Sequence, residues 1–430
     1  MAADNRSGWR RLATGNVLWL SVASFLNDAS SEMIFPLLPV FLVGTLGAGP
    51  AFLGLIEGVA ETTAAFVKLA GGWLSDRVRR RRALVGWGYG VAAVTRPLMA
   101  AAAAPWHVLG IRFADRVGKG VRTAPRDALL AESVGRDFRG RAFGLHRAAD
   151  HAGAILGPVL ATGILLLWPG EIRLVFLLAV LPAAAAVAAV LVRVREIPPG
   201  PATREPPGTA DPAGEGGGRD PGAAGPAESG AGTTPLRSRR FLGYLAVLVL
   251  FTLGNASDAF LLLRARELGV AVALVPILWA ALHVSKMLWN VVGGAVADRF
   301  GPAPAIAVGW LVYAATYAGF AVARDAWHAW ALFLAYGLFY GLTEPTEKAL
   351  VAALAPSALR ARAFGAYHFA IGLAALPSSV IFGAVWGVWG AAPAFWLGAG
   401  LALAAAAMLP LALREGPGHR PRRGRRARRP

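Results

Sequence analysis

Acidic and basic residues recur at helical spacing inside stretches that are otherwise apolar. Asp28 and Glu32 stand four apart, as do Glu57 and Glu61, with Lys68 two turns beyond. Further on, Arg112, Asp115, Arg116, Lys119, Arg122 and Arg126 follow at steps of 3, 1, 3, 3 and 4. Residues three and four apart share one face of an α-helix, so each set is a polar stripe on an apolar rod. An ionisable side chain at the centre of a membrane helix costs about 2.5–3.5 kcal/mol on insertion scales. Lipid does not accept such a stripe, which must face protein or a water-filled cavity. The chemistry that suits it is reversible proton binding. A carboxyl group out of water holds its proton, and a neighbouring guanidinium favours its release. For Lys68, Arg96 and Arg126 a static ion-pair lattice is the expected role. His146, His151 and His283 read as hydrogen-bonded structural groups.

The elements that position these residues follow from composition. The chain has 430 residues, 56% hydrophobic and 16% charged, too apolar for a soluble domain of that size. Apolar segments fall at 16–43, 51–74, 83–104, 106–130, 143–168, 172–194, 241–264, 272–296, 304–323, 327–351, 363–387 and 392–413. Each is close to the ~20 residues a span needs, which predicts twelve transmembrane helices. The net charge is +18, and the basic clusters lie in alternate gaps: Arg79 to Arg82, Arg136 to Arg141, Arg239 and Arg240, Arg360 and Arg362, and the tail from Arg420. That alternation argues for both termini on the cytoplasmic side, beside an anionic inner leaflet, and against a nucleic-acid partner. Residues 1–15 read as a cytoplasmic tail, and the first apolar segment as a retained helix, since it carries Asp28 and Glu32 and no small-x-small cleavage site. Between the halves, 195–240 is dominated by Pro, Gly and Ala and predicts a disordered linker, with 415–430 a basic tail. With no cysteine, thiol chemistry, disulfides and thiolate metal sites are excluded.

The chain is internally repeated. Gly71-Gly72-Trp73-Leu74-Ser75-Asp76-Arg77 is answered 222 residues on by Gly293-Gly294-Ala295-Val296-Ala297-Asp298-Arg299. Thr123-Ala124-Pro125 matches Thr343-Glu344-Pro345, and Arg141-Ala142-Phe143-Gly144 matches Arg362-Ala363-Phe364-Gly365, at offsets of 220 and 221. Matches at nearly one offset imply two parallel six-helix repeats, 16–194 and 241–414, related by an axis along the membrane normal.

The phrase Gly72-Trp73-Leu74-Ser75-Asp76-Arg77-Val78-Arg79-Arg80-Arg81 resembles the signature that follows the second helix of the major facilitator superfamily. Arg79 stands where that signature has a second glycine; the second copy, Asp298-Arg299-Phe300-Gly301, keeps it. Arg116-Val117-Gly118-Lys119-Gly120 resembles the fourth-helix element of the same family. Gly153-Ala154-Ile155-Leu156-Gly157-Pro158 resembles the fifth-helix signature of its drug:proton antiporter branch.

The resemblance implies an all-α membrane transporter in which helices 1, 4, 7 and 10 line a central cavity. Asp28, Glu32 and Arg116 then form the expected proton-coupling unit, with Glu61 the next candidate. Asn27, Arg112, Lys119, Asn255, Asp258, Tyr340 and Glu344 are the expected cavity residues. Gly72, Asp76, Arg77, Gly294, Asp298 and Arg299 would form a conformational latch, and Gly153, Gly157 and Pro158 a packing face on helix 5. The expected activity is export of a small molecule in exchange for protons, by a monomer. Uptake of an organic anion with protons, the helix 4 cations binding the substrate, is the rival; a sensor on the same scaffold is the rival from another class. No Gly-x-Ser-x-Gly, His-Glu-x-x-His or phosphate loop occurs, so no enzyme and no cofactor is expected. Asp28, Glu32, Glu61 and a histidine lack spacing specific to a metal, and none is assigned.

Overall fold

The computed structural model describes residues 15–78, 80–134, 138–197, 238–355 and 359–414. Most of the 195–240 linker and both tails lie outside the described residues. Twelve rods run α1 (Gly15–Ile34), α2 (Pro50–Val78), α3 (Arg81–Leu98), α4 (Pro105–Glu132), α5 (Arg139–Leu167), α6 (Ile172–Leu178 with Val180–Arg193), α7 (Arg239–Gly254 with Ala259–Glu267), α8 (Val275–Phe300), α9 (Pro302–Val322), α10 (Ala326–Leu354), α11 (Arg360–Trp389) and α12 (Ala391–Ala412). Among the described residues nine of these are long and apolar enough to cross a membrane. The exceptions are α3, α4 and α10; the polar stripe of α4 alone suffices to lower its hydropathy.

Local chemistry sets the ends. Pro105 and Pro302 open α4 and α9 at the first turn, where a missing N–H costs nothing. Asp325 and His328 form a reciprocal capping box on α10. Gly301 and Gly390, at φ 86° and 87°, make the tight entries to α9 and α12, in a region that side chains with a Cβ avoid. Two rods depart from the expected regular helices. Beyond Ile34, α1 passes through a 3-10 turn, a short α turn and a π turn to Thr45. Pro36 and Pro39 cannot donate to the i−4 ladder there. Rod α7, expected as one helix over 241–264, breaks between Gly254 and Ala259.

The duplication is visible in the packing. Gly71 lies against the Gly120 carbonyl, and Gly293 against that of Gly341. Gly88 faces Arg122 as Gly309 faces Thr343. On α5, Gly153 and Gly157 admit the Phe25 and Ala29 carbonyls of α1, so two backbones touch without intervening side chains. Asn16 exchanges two hydrogen bonds with Arg195, at 2.7 and 2.8 Å, and the Arg240 guanidinium donates to the Leu413 carbonyl. Both repeats therefore begin and end at the same end of the bundle, called here the termini end. The polarity is inverted relative to a soluble protein: Leu167 and Val192 are 72% and 74% exposed, while Arg112 and Arg116 are each 8% exposed. An apolar outer surface over a charged interior is suited to lipid.

At the far end the two halves meet closely along α2 and α11. Gly54 abuts the Ser379 carbonyl and Gly58 the Leu376 backbone, and Thr62 donates to the Gly372 carbonyl at 2.9 Å. Thr162 on α5 donates to Ala273 at 2.8 Å. A side chain at Gly54 has no room, so Gly54→Leu should prise this end apart. Because the native chain lacks cysteine, a single cysteine in place of the buried Ser379, against which Gly54 packs, reports it. Labelling should rise severalfold over the glycine parent, and unchanged labelling would mean that the contact does not close the far end.

Candidate functional site

Between the halves lies a cavity of about 950 Å³, within the range of small-molecule sites. Its wall contains seven carboxylate and seven cationic side chains, so its formal charge balances. Asp28, Glu32, Glu61 and Arg116, the expected coupling residues, all line it. So do Asn27, Arg112, Lys119, Asn255, Asp258 and Tyr340. Glu344 does not; its half-exposed carboxylate pairs with Lys348 at 3.3 Å, one turn along α10. Glu347 is buried and accepts a 2.7 Å hydrogen bond from Tyr367.

Apart from Lys119, the charges of the α4 stripe each have a partner. Arg112 donates to Glu57 at 2.8 Å, and both are buried. Arg116 meets Glu61 at 3.1 Å, although the Glu61 side chain is 53% exposed to the cavity. Asp115 faces Arg96 at 3.4 Å, and Arg96 also donates to the Asn27 carbonyl and side-chain oxygen at 2.9 and 3.0 Å. Asn27 in turn donates to Asp28 at 3.0 Å. Arg122 sits 4.5 Å over the Tyr89 ring, a cation–π contact. Arg126 pairs with Asp127 and donates to Ser24. His146 and Asp150 approach to 3.8 Å on α5. Arg116 thus meets Glu61 of α2 and not the α1 acids that sequence spacing suggested as its partners.

Two carboxylates reach across to the other half. Glu32 accepts from the Trp279 indole at 2.7 Å, and Glu57 accepts from Ser257 at 3.2 Å. Ser257 sits in the break of α7, where the interrupted ladder frees the chain to present it. Asp258, beside it, accepts from Tyr336 and Tyr340 at 2.9 and 2.8 Å and lies 3.6 Å from Lys286. The Lys286 ammonium is 3.4 Å over the Tyr340 ring and 5.4 Å over that of Trp279.

Lys286, Trp279 and Ser257 were missed by sequence reasoning. Lys286 had a usable signal: no other charged residue occurs between Val275 and Ala297. Trp279 and Ser257 had none, because their roles arise only where two halves meet. His283 lies edge-on to Trp279, ring centroids 5.0 Å apart. Of the expected latch, Arg77 is exposed and Arg299 lies over Phe300 at 5.2 Å. The side chains of Asp76 and Asp298, and the surroundings of Gly72 and Gly294, lie outside what is described.

Proteins of known sequence and structure share this architecture. The profile of the Major Facilitator Superfamily matches residues 20–379 and again 265–430. An uncharacterised MFS-type transporter of Methanocaldococcus jannaschii is 30% identical over 377 residues, which cover 86% of this chain and 88% of that one. Multidrug resistance protein MdtH of Klebsiella pneumoniae is 34% identical over 120 residues, 26% of this chain and 29% of its own. Among solved structures, the nucleoside transporter NupG superposes with a TM-score of 0.72 at 15% identity, over 94% of this chain and all of that one. Profile, relatives and fold agree with the duplicated packing and the charged central cavity: the chain belongs to the Major Facilitator Superfamily, and is a multi-pass membrane transporter and not an enzyme.

Proposed function

We propose that the protein is a proton-coupled secondary transporter that works by alternating access. The observation that carries the reading is the pair of cavity carboxylates bonded across the halves, Glu32 to Trp279 and Glu57 to Ser257. Neutralising or re-pairing either one changes the contacts that hold the far end closed. Proton binding and access then bias the same two-state element, which is what coupling requires. Asp28, Glu32, Glu61 and Arg116 are the coupling residues in this reading. The transporter works as a monomer of two six-helix halves, joined through residues 195–240, with both termini cytoplasmic. Its basic gaps face the anionic inner leaflet of the cytoplasmic membrane.

Export of a small molecule in exchange for protons is the first reading of direction. The likeness of about a quarter of the chain to MdtH and the fifth-helix Gly-x-x-x-Gly-Pro support it. Uptake of an organic anion with protons is the second, favoured by Lys119, whose ammonium lines the cavity with no ion pair among the described residues. Inverted vesicles with an acidified lumen separate the two. Lumen alkalinisation on addition of substrate to the outside is expected for exchange, and acidification for cotransport. No proton movement with any of a panel of metabolites and drugs would count against coupling.

A further inference from the structure

The donors and acceptors of the cavity are not evenly spent. Every lining carboxylate has a partner: Glu57, Glu61, Asp115 and Asp258 have cations, Asp127 has Arg126, Asp28 has the Asn27 amide and Glu32 the Trp279 indole. More donors than acceptors are unmet, the Asp115 Oδ1 atom being the one lining carboxylate oxygen among the buried atoms without a hydrogen bond in the described residues. Lys119 carries three N–H groups and no ion pair among the described residues. The buried Nε atoms of Arg112 and Arg116 have no hydrogen-bond partner there. Lys119 opens onto the cavity as a cation without an ion pair there, so a ligand that brings an anionic acceptor completes the site. Aromatic rings line the cavity beside these cations. Phe35 and Trp279 meet at a tilt of 44°, ring centroids 5.0 Å apart, and the Lys286 ammonium lies over both Trp279 and Tyr340.

We propose that the cavity takes an organic anion with one acidic group and a flat aromatic body, and that this acidic group replaces Glu61 as the partner of Arg116. The proposal rests on the reading of the cavity as the transport site and adds to it the class of substrate and the carboxylate it displaces. Glu61, on α2, pairs with the α4 stripe and has about half its side chain open to the cavity, so a ligand reaches it without unpacking a helix. The neighbouring pair, Glu57 with Arg112, is closed off and bonded to Ser257. A bound carboxylate takes the planar fork of Arg116 and the ammonium of Lys119 together. Its apolar body then lies against Phe35, Trp279 and Tyr340.

The charge balance links this exchange to a proton. A monoanion entering a formally neutral cavity leaves one uncompensated charge, which one proton on the displaced Glu61 removes. Arg112, Arg116 and Lys119 face Glu61 from α4, and Asp28 and Glu32 line the same space from α1. Glu57 and Lys68 flank it on α2, and His368 lines the cavity from α11. Anion binding and protonation of Glu61 therefore favour each other.

Binding to the purified full-length chain tests this without any proton gradient. The probes are 1-naphthoate, its neutral amide and 1-naphthylmethylammonium, followed by quenching of tryptophan fluorescence. Naphthoate should bind at least tenfold tighter than the amide, and tighter at pH 6 than at pH 8. Lys119→Ala, at a cavity-facing site that packs little, should weaken naphthoate about tenfold and leave the amide unchanged. Glu61→Gln should tighten naphthoate at pH 8 and remove the pH dependence. Equal affinity for naphthoate and amide, preference for the ammonium probe, or undiminished binding in Lys119→Ala would overturn the proposal. Naphthoate binding that persists without proton-driven flux would instead sink the coupling and leave the substrate class standing.

Discussion

Glu57→Ala is expected to lower the stability of the bundle by about 3–5 kcal/mol, the cost of breaking a buried ion pair by removing one partner. Glu57 is 1% exposed, and its two oxygens serve Arg112 and Ser257. Its loss leaves a guanidinium in the interior whose Nε already lacks a partner. The reciprocal variant, Arg112→Met, should cost less. The orphaned carboxyl can take a proton and become neutral, whereas a guanidinium keeps its charge at any accessible pH. The gap between the two should widen at low pH. Glu57→Leu combined with Arg112→Met should recover most of the stability, since apolar replacement of a whole buried pair is commonly neutral or favourable. Thermal unfolding of the purified protein, with the variants measured as a double-mutant cycle, checks each arm. If the double variant is as unstable as Glu57→Ala, the pair is not what holds α2 to α4.

The rods were legible from sequence because lipid sets their length and alternate basic gaps set their order. The repeat was legible because glycines that bring backbones together leave little choice of residue: Gly71 and Gly293 meet Gly120 and Gly341 in the same way. Departures from regular helix were harder. Pro36 and Pro39 mark the irregular end of α1 in hindsight. The α7 break, however, falls at Gly254-Asn255-Ala256-Ser257-Asp258, which carries no proline and reads as a continuation of an apolar helix. What stabilises it lies elsewhere in the chain, in Glu57, Tyr336 and Tyr340. The same limit applies to the charges. Helical spacing showed that Arg112, Arg116 and Lys119 share a face, but not which neighbour that face meets. The rotation of α4 against α2 decides that Arg116 meets Glu61, and Glu32 is left to find an indole on α8. Glu344 is the converse case: an acid on α10 that pairs with Lys348 one turn on and is not among the residues lining the cavity.

The pairing of Arg116 determines where the largest loss of coupling is expected. Glutamine at position 61 is a fixed mimic of the protonated acid. It can still accept a hydrogen bond from Arg116, but it does not hold the guanidinium by charge or respond to pH. In Glu61→Gln, proton-driven transport in vesicles should fall below about a tenth of the parent, the scale on which a lost coupling free energy is felt. Exchange of substrate down its own gradient should continue, because the cavity and the gates are intact. Arg116→Lys should restore neither function fully, since an ammonium is a point charge without the planar fork. Glu32→Gln leaves only a neutral acceptor for the Trp279 indole, so it should loosen far-end closure, while its loss of coupling should be smaller because the Arg116–Glu61 pair is kept. Asp28→Asn, which already shares its oxygen with a neighbouring amide, should fall between parent and Glu32→Gln. Transport of a labelled substrate at pH 6 and pH 8, with and without an imposed proton gradient, ranks the four variants. If Asp28→Asn and Glu32→Gln lose driven transport while Glu61→Gln keeps it, the coupling unit is the helix 1 pair that the spacing of Asp28 and Glu32 first suggested, and the Arg116–Glu61 contact is a static strut between α2 and α4.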